Sequence, residues 1–285
     1  AEHIQACHPI IVSILVKLFN MMLLFEYVPD AFGNGLSIPL PKNLSGSLSS
    51  VDAYRCITVS PVLSKVFEKC LLEKLQNYLS SSTLQFGFKK KMSCSHAIYT
   101  LSTSVDYFAN NLSTVNICTI DLSKAFDKLN IHCLLVKMVN RNVPLQFVKL
   151  LHCWYSKMFI TVKWVCALSK SVKLLAGVIK GGILSPFLFL IYVDDVIIAL
   201  ESSRIWRVIK GFYVGVIMYA DDIVLLSPSV SDLQFMLHLC YKMLEDIDMC
   251  INVKKTMCTR IGSRFKNTCS ELAVCGQKLI WVKCV

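Results

Sequence analysis

Met218 to Leu226 reads MYADDIVLL, with two adjacent aspartates between apolar runs. Neighbouring carboxylates repel, and each is costly to bury without a partner. The flanks explain the placement. Tyr213–Ala220 and Ile223–Leu226 are apolar and rich in β-branched residues, which predicts two strands with Asp221–Asp222 between them. Upstream, Thr114–Leu122 (TVNICTIDL) has the same strand character and ends at Asp121. A strand end beside a strand–turn–strand tip brings carboxylates together. An oxygen-only donor set of this kind suits Mg²⁺. Two such ions about 3.5–4 Å apart serve phosphoryl transfer. The near twin YVDDVIIAL, Tyr192–Leu200, is different. It follows a helical run opened by Ser185–Pro186, so Asp194 and Asp195 are expected within that helix or at its end, with a solvent-facing helix end as the preferred reading.

Outward from these stretches the chain alternates helices and strands. Residues 9–27 carry helical apolar spacing and are expected as a buried core helix. Val28–Gly35 is turn-rich. Leu36–Lys42 (LSIPLPK) reads as an extended segment that its prolines confine to an edge or loop, and Asn43–Ser50 as a small-residue loop. Ser60 is expected to cap a helix whose first turn holds Pro61. The apolar stripe of that helix is Val62, Val66, Phe67, Cys70, Leu71, Leu75 and Leu79, with Lys65, Glu68, Lys69, Glu73 and Lys74 on the polar face. Further helices are expected over 95–110, from Pro144 (Val148, Leu151, Tyr155, Met158 inward), from about Pro186, and after Ser231. Phe159–Ala167 and Val172–Ala176 read as a β-hairpin. Helices mixed with an antiparallel sheet make an α+β protein.

Composition narrows the partners. The 285 residues carry a formal net charge of +11, which favours a polyanion, most simply nucleic acid, with an anionic membrane surface as the rival. Hydrophobic residues reach 54%, and the mean hydropathy is +0.54. The most apolar stretch, Pro9–Phe25, holds Lys17 and Asn20, which argues against a membrane span. The 14 cysteines are scattered without C-x-x-C spacing, so they read as reduced thiols of an intracellular protein, without distinguishing nucleus from cytoplasm. The chain opens Ala-Glu-His with no leader pattern and reads as a fragment of something longer.

Several stretches together resemble one family. MYADD resembles the Y-x-D-D box, motif C, of reverse transcriptases. TIDLSKAFDKL resembles motif A of the non-LTR (LINE-type) retrotransposon enzymes, and GVIKGGILSPFLFLIYVDD resembles their motif B. SIPLPK with YRCITVSPVLSKVFEKCLLEKL, and LQFGFKKKMSCSHAIYTL, are similar to their finger segments; INVKKT resembles motif D. The resemblance implies right-hand polymerase fingers (1–112) and an antiparallel palm sheet with packed helices (113–260). Residues 261–285 would begin motif E, with the thumb and endonuclease missing. It implies template-directed addition of deoxynucleotides to a primer 3′-hydroxyl with two Mg²⁺ ions, Mn²⁺ substituting, on an RNA template with a DNA primer. Asp121, Asp221 and Asp222 would be catalytic and hold the metals. Lys42, Arg55, Phe126, Lys180, Gly181 and Lys255 would meet the incoming nucleotide: Phe126 as the gate against a ribose 2′-hydroxyl, Lys255 as an acid near the leaving pyrophosphate. Asp127 would organise the motif A turn. Trp154, Tyr155 and Trp164 could stack on bases, but are expected in the core.

The pattern is departed from in places. Lys91 stands where the family has glycine, and Cys56 where it has proline. Ile179, Lys180 and Gly182 stand where proline, glutamine and serine are usual. An inactive, truncated remnant that binds nucleic acid only through charge is the alternative reading.

Overall fold

The computed structural model describes residues 6–43, 46–203, 208–209, 211–262 and 270–282. The described elements begin with helix α1 (Pro9–Leu24), strands β1 (Asn34–Pro41) and β2 (Tyr54–Val59), and helices α2 (Val62–Leu75) and α3 (Cys94–Asn110). Strand β3 (Thr114–Ile120) follows, then helices α4 (Ala125–Lys128), α5 (Ile131–Asn140) and α6 (Leu145–Ser156). Next come β4 (Phe159–Trp164), β5 (Ala167–Leu168), β6 (Val172–Lys173) and helix α7 (Ser185–Ser202). Strands β7 (Val208–Ile209), β8 (Phe212–Tyr213), β9 (Val216–Tyr219) and β10 (Asp222–Ser227) lead to helix α8 (Val230–Glu245). Strands β11 (Met257–Gly262), β12 (Ala273–Val274), β13 (Gln277–Lys278) and β14 (Ile280–Val282) complete the described α-helices and strands, and short 3₁₀ turns cover Asp30–Gly33 and Val51–Ala53. The chain divides into two compact units, Ala1–Leu79 with Asn130–Leu188, and Ser80–Leu129 with Phe189–Val285.

The first unit is built on a sheet in the order β2-β1-β4-β5, with β6 also on β4. β1 is thus interior and not the expected edge. The prolines are tolerated because β4 pairs only with Asn34–Ser37, while Pro39 and Pro41 lie beyond that ladder and face β2 alone. The expected hairpin forms, with β5 and β6 both antiparallel to β4. Phe19, Phe32, Phe67 and Trp154 build an aromatic core, with ring centroids 4.9 Å apart for Phe19–Phe67 and 5.5 Å for Phe67–Trp154. The Phe32 carbonyl accepts from Trp154 Nε1 at 3.3 Å and Ser64 Oγ at 3.2 Å. Trp154 and Tyr155 are in the core, whereas Trp164 is 50% exposed against Tyr54.

Three expectations fail here. α1 is no core helix: only Phe19 and Met22 are buried, and Ile10, Ile14, Met21 and Leu24 face outward. α2 starts one residue later, with Pro61 at the cap position, and the Ser60 Oγ is buried without a partner among the described residues. Glu68, placed by periodicity on the polar face, is buried. Its carboxylate accepts the Ile183 N–H, and the Leu184 N–H at 2.9 Å. Burial pushes its pKa up, while those two N–H groups and Lys65 pull it back.

The second unit is built on the sheet β14-β11-β3-β10-β9. The pairs β9–β10, β10–β3 and β3–β11 are antiparallel, and β14 joins β11 in parallel. Alternation then sorts the faces. Val115, Ile117, Ile217 and Leu226 form one core cluster with Ala97 of α3. Cys118, of opposite parity on β3, is also buried, and α8 packs against β3 and β10. α8 is capped by Ser229, two residues before the expected Ser231, since the Ser229 Oγ accepts from the Asp232 N–H at 3.3 Å. β11 continues to Gly262, past the expected boundary at 260. Residues 44–45 of the expected loop, and 263–269 and 283–285 of the expected motif E region, lie outside the described residues.

The YVDD pair corrects another expectation. Asp194 and Asp195 lie inside α7 and not at a helix end. Asp194 is buried and accepts the Ser82 N–H at 2.7 Å. Lys89 caps the same turn, donating to the Ser81 carbonyl at 3.2 Å and the Ser82 carbonyl at 2.5 Å. Burial lowers the Lys89 pKa, and Asp194 opposes that shift. The twin therefore anchors the segment that enters LQFGF. Among the described residues, no helix is long and apolar enough to cross a membrane.

Candidate active site

The strand pairing brings the sequence-predicted carboxylates together. Ile223 of β10 is registered with Ile120 of β3, so Asp222 and Asp121 are adjacent at one end of neighbouring strands. Asp222 is the first residue of β10, paired with Tyr219, and not part of the turn itself. Only Ala220 and Asp221 connect the strands. Ala220 takes φ +57°, a left-handed conformation unfavourable for a residue with a side chain.

The carboxylates sense one another. The Asp222 pKa is raised, first by burial and then by the charges of Asp221 and Asp121. Asp121 is held from the other side. Its backbone carbonyl accepts the Asn252 N–H at 2.8 Å, and its Oδ2 accepts Asn252 Nδ2 at 3.0 Å. Lys255 Nζ stands 3.8 Å from the same oxygen. A tight turn produces this, with the Lys255 and Thr256 N–H groups both donating to the Asn252 carbonyl. Asn252 lies in the INVKKT stretch, but sequence reasoning gave it no role.

Among the described residues no three His, Cys, Asp or Glu side chains stand close enough to hold one ion in common. The donor chemistry still fits a hard divalent cation. All three groups are carboxylates, and their mutual repulsion is what a bound cation would relieve.

Phe126 lies in the same unit, on α4, stacked on Phe189 at 4.5 Å between centroids and 15° between planes. Phe88 meets its edge at 6.3 Å. The remaining expected nucleotide-contacting residues are in the first unit. Lys42 is exposed and donates to the Asp52 carbonyl at 2.8 Å. Arg55 is exposed on β2, registered with Leu40. The Lys180 carbonyl accepts the Thr58 N–H at 2.8 Å. Gly181 follows at φ +116°, and a Cβ there would lie 2.5 Å from the Thr58 carbonyl oxygen, so glycine is required.

A second group was missed. Gln85, 1% exposed, lies beside the Ala220 turn with both ends of its amide engaged. Its only sequence signal was membership of the LQFGF stretch.

Comparison with known proteins gives the family and the fold. Residues 40–278 match the family described as reverse transcriptase (RNA-dependent DNA polymerase). The RNA-directed DNA polymerase from mobile element jockey of Drosophila funebris is 27% identical over 223 residues, covering 75% of this chain and 23% of that protein. The Pol polyprotein from type-2 retrotransposable element R2DM of Drosophila melanogaster is 22% identical, covering 91% of this chain and 24% of that one. The chain thus spans about a quarter of the length of these curated relatives. In fold it is similar to telomerase from Candida tropicalis solved with a fragment of telomeric RNA, with TM-score 0.58 and 13% identity, covering 87% of this chain and 45% of that one. The apo telomerase truncated from its C-terminal domain gives TM-score 0.57 and 14% identity over 88% of this chain and 54% of that one. A family match across most of the chain, over a palm-like sheet that gathers Asp121 and the YADD pair, means that this chain belongs to the reverse transcriptase family.

Proposed function

We propose that this chain is the fingers and palm of a non-LTR retrotransposon RNA-directed DNA polymerase. It would extend a DNA primer along an RNA template, as part of retrotransposition. The observation that carries the reading is the adjacency of Asp121 and Asp222 at the ends of β3 and β10, with Asp221 in the connecting turn. These three would hold two Mg²⁺ ions, with Mn²⁺ as substitute. The ions would supply activation of the primer 3′-hydroxyl and charge neutralisation at the leaving oxygen. Asn252 orients the Asp121 carboxylate. Lys255 Nζ would donate a proton to the departing pyrophosphate. Lys42, Arg55 and Lys180 would take triphosphate oxygens, Arg55 with a planar fork suited to them. Gly181 would let the backbone approach the nucleotide. We assign 1–112 to fingers and 113–260 to palm. The grouping of Asn130–Leu188 with the N-terminal elements supports a finger-side insertion in the palm stretch, and Ser80–Leu129 groups with the palm elements.

Phe126, held by Phe189, would exclude a ribose 2′-hydroxyl by contact. Phe126→Ala should therefore relax discrimination against ribonucleotides by about 10–100-fold, read as the ratio of ribo- to deoxynucleotide incorporation.

A second reading, a decayed copy with at most non-specific nucleic-acid binding, has its own observation. Lys91 stands where the family has glycine and adopts φ +63°. Lys91→Gly should stabilise the protein by about 1 kcal/mol, measured by denaturant titration.

Primer extension on an RNA template, with Mg²⁺ and separately Mn²⁺, distinguishes the two readings. Extension by the unsubstituted chain establishes the polymerase. Extension only after Lys91→Gly, Ile179→Pro and Lys180→Gln establishes decay. Extension by neither leaves a family member without this activity.

A further inference from the structure

The Asp221–Asp222 pair rides on a turn that its own sequence does not stabilise. Ala220 has φ +57°, where glycine or asparagine is the usual occupant. The connection is short, so any relaxation at Ala220 would redirect both carboxylates. Something outside the hairpin must hold it.

Gln85 is placed to do so. Its Oε1 accepts the Ala220 N–H at 2.9 Å. Its Nε2 donates to the Ala220 carbonyl at 3.2 Å. One side-chain amide thus takes both backbone polar groups of the one strained residue. Oε1 also accepts the Gly87 N–H at 2.9 Å, which fixes the amide's orientation. The segment carrying Gln85 is itself laid along β9. The Met218 N–H donates to the Leu84 carbonyl at 2.9 Å, and the Phe86 N–H to the Met218 carbonyl at 2.8 Å. The approach is close: a Cβ on Gly87 would stand 2.5 Å from the Ala220 nitrogen. At the far end of the segment, Asp194 and Lys89 pin residues 81 and 82.

We infer that Gln85 is a positioning residue for the reaction, holding the left-handed Ala220 turn so that Asp221 and Asp222 stay aimed at the reacting centre. The inference rests on the polymerase reading. Its chemistry is specific to an amide, because the turn presents one donor and one acceptor. Methionine fills the space and bonds to neither. Glutamate accepts the N–H but sets a second oxygen against the Ala220 carbonyl.

The test compares the full chain with Gln85→Met and Gln85→Glu in two readouts. The first is hydrogen exchange of peptides covering 214–226, in the absence of nucleotide. The second is primer extension, resolved into kcat and deoxynucleotide KM. For Gln85→Met, exchange at 218–222 should quicken at least about tenfold, with little change elsewhere in the second unit. Its kcat should fall about 10–100-fold, the scale of a small misplacement of catalytic groups, while KM changes less than about twofold. Gln85→Glu should fall between. Unchanged exchange and kcat in Gln85→Met overturn the inference. So does a general loss of protection with kcat falling only as the folded fraction falls, since that is a merely structural role. An unsubstituted chain that extends no primer removes the polymerase reading instead, and the exchange data alone then decide whether Gln85 holds the turn.

Discussion

Asp222→Asn should reduce primer extension by about a thousandfold or more, equivalent to ~4 kcal/mol of barrier, and should at the same time raise the melting temperature. The two effects share one cause. The Asp222 carboxyl is pushed up by burial and then by the negative charges of Asp221 and Asp121. Asparagine keeps the shape, removes one of three repelling charges, and forfeits an anionic oxygen that a cation needs. The sign with pH follows. A carboxyl whose native pKa is raised binds more protons folded than unfolded. Its contribution to stability is present at low pH and lost as pH climbs from the unfolded pKa through the native one. In chelator, the unsubstituted chain should lose stability across that window more steeply than Asp222→Asn. Adding a divalent cation should narrow the gap. Equal melting in chelator would mean that the carboxylates do not strain one another, and unchanged extension would move the chemistry away from YADD.

Glu68→Ala should be the most destabilising of the substitutions considered, at about 2–4 kcal/mol. Glu68 is 7% exposed and accepts the Ile183 and Leu184 N–H groups just before α7. Alanine leaves two donors buried at a helix start and opens a cavity. Glu68→Gln keeps an acceptor oxygen without the buried charge and should cost much less. The native carboxyl is again raised, by burial first, so the pH sign is the same. The stability it contributes is full below the unfolded carboxyl pKa and falls as pH rises through the native value. Glu68→Gln should flatten that slope in melts taken between pH 4 and 7. A Glu68→Ala chain that melts with the unsubstituted one would show that the two N–H groups find other partners.

What was legible in the sequence was local. The strand ending at Asp121, the strands flanking Asp221–Asp222, the helices at 94–110 and 145–156, and the inward side of α6 follow from periodicity and end signals over a few residues. The aspartates were legible because a strand–turn–strand tip is itself a local feature. Tertiary structure alone decided the rest, and the misses have one physical origin. A polar residue's role depends on which partner meets its hydrogen-bonding groups, and here those partners are remote in sequence. Glu68 reads as a solvated charge until α7 brings two N–H groups 115 and 116 positions away. Asp194 reads as a helix end until the Ser82 N–H reaches it from 112 positions away. Gln85 reads as one letter of a motif until Ala220, 135 positions on, presents both backbone groups to its amide. The same holds for β1, whose prolines are compatible with an interior place only because its pairing with β4 ends at Ser37. Periodicity reports which face is apolar. Which buried polar group is satisfied, and by what, is settled only when distant segments pack.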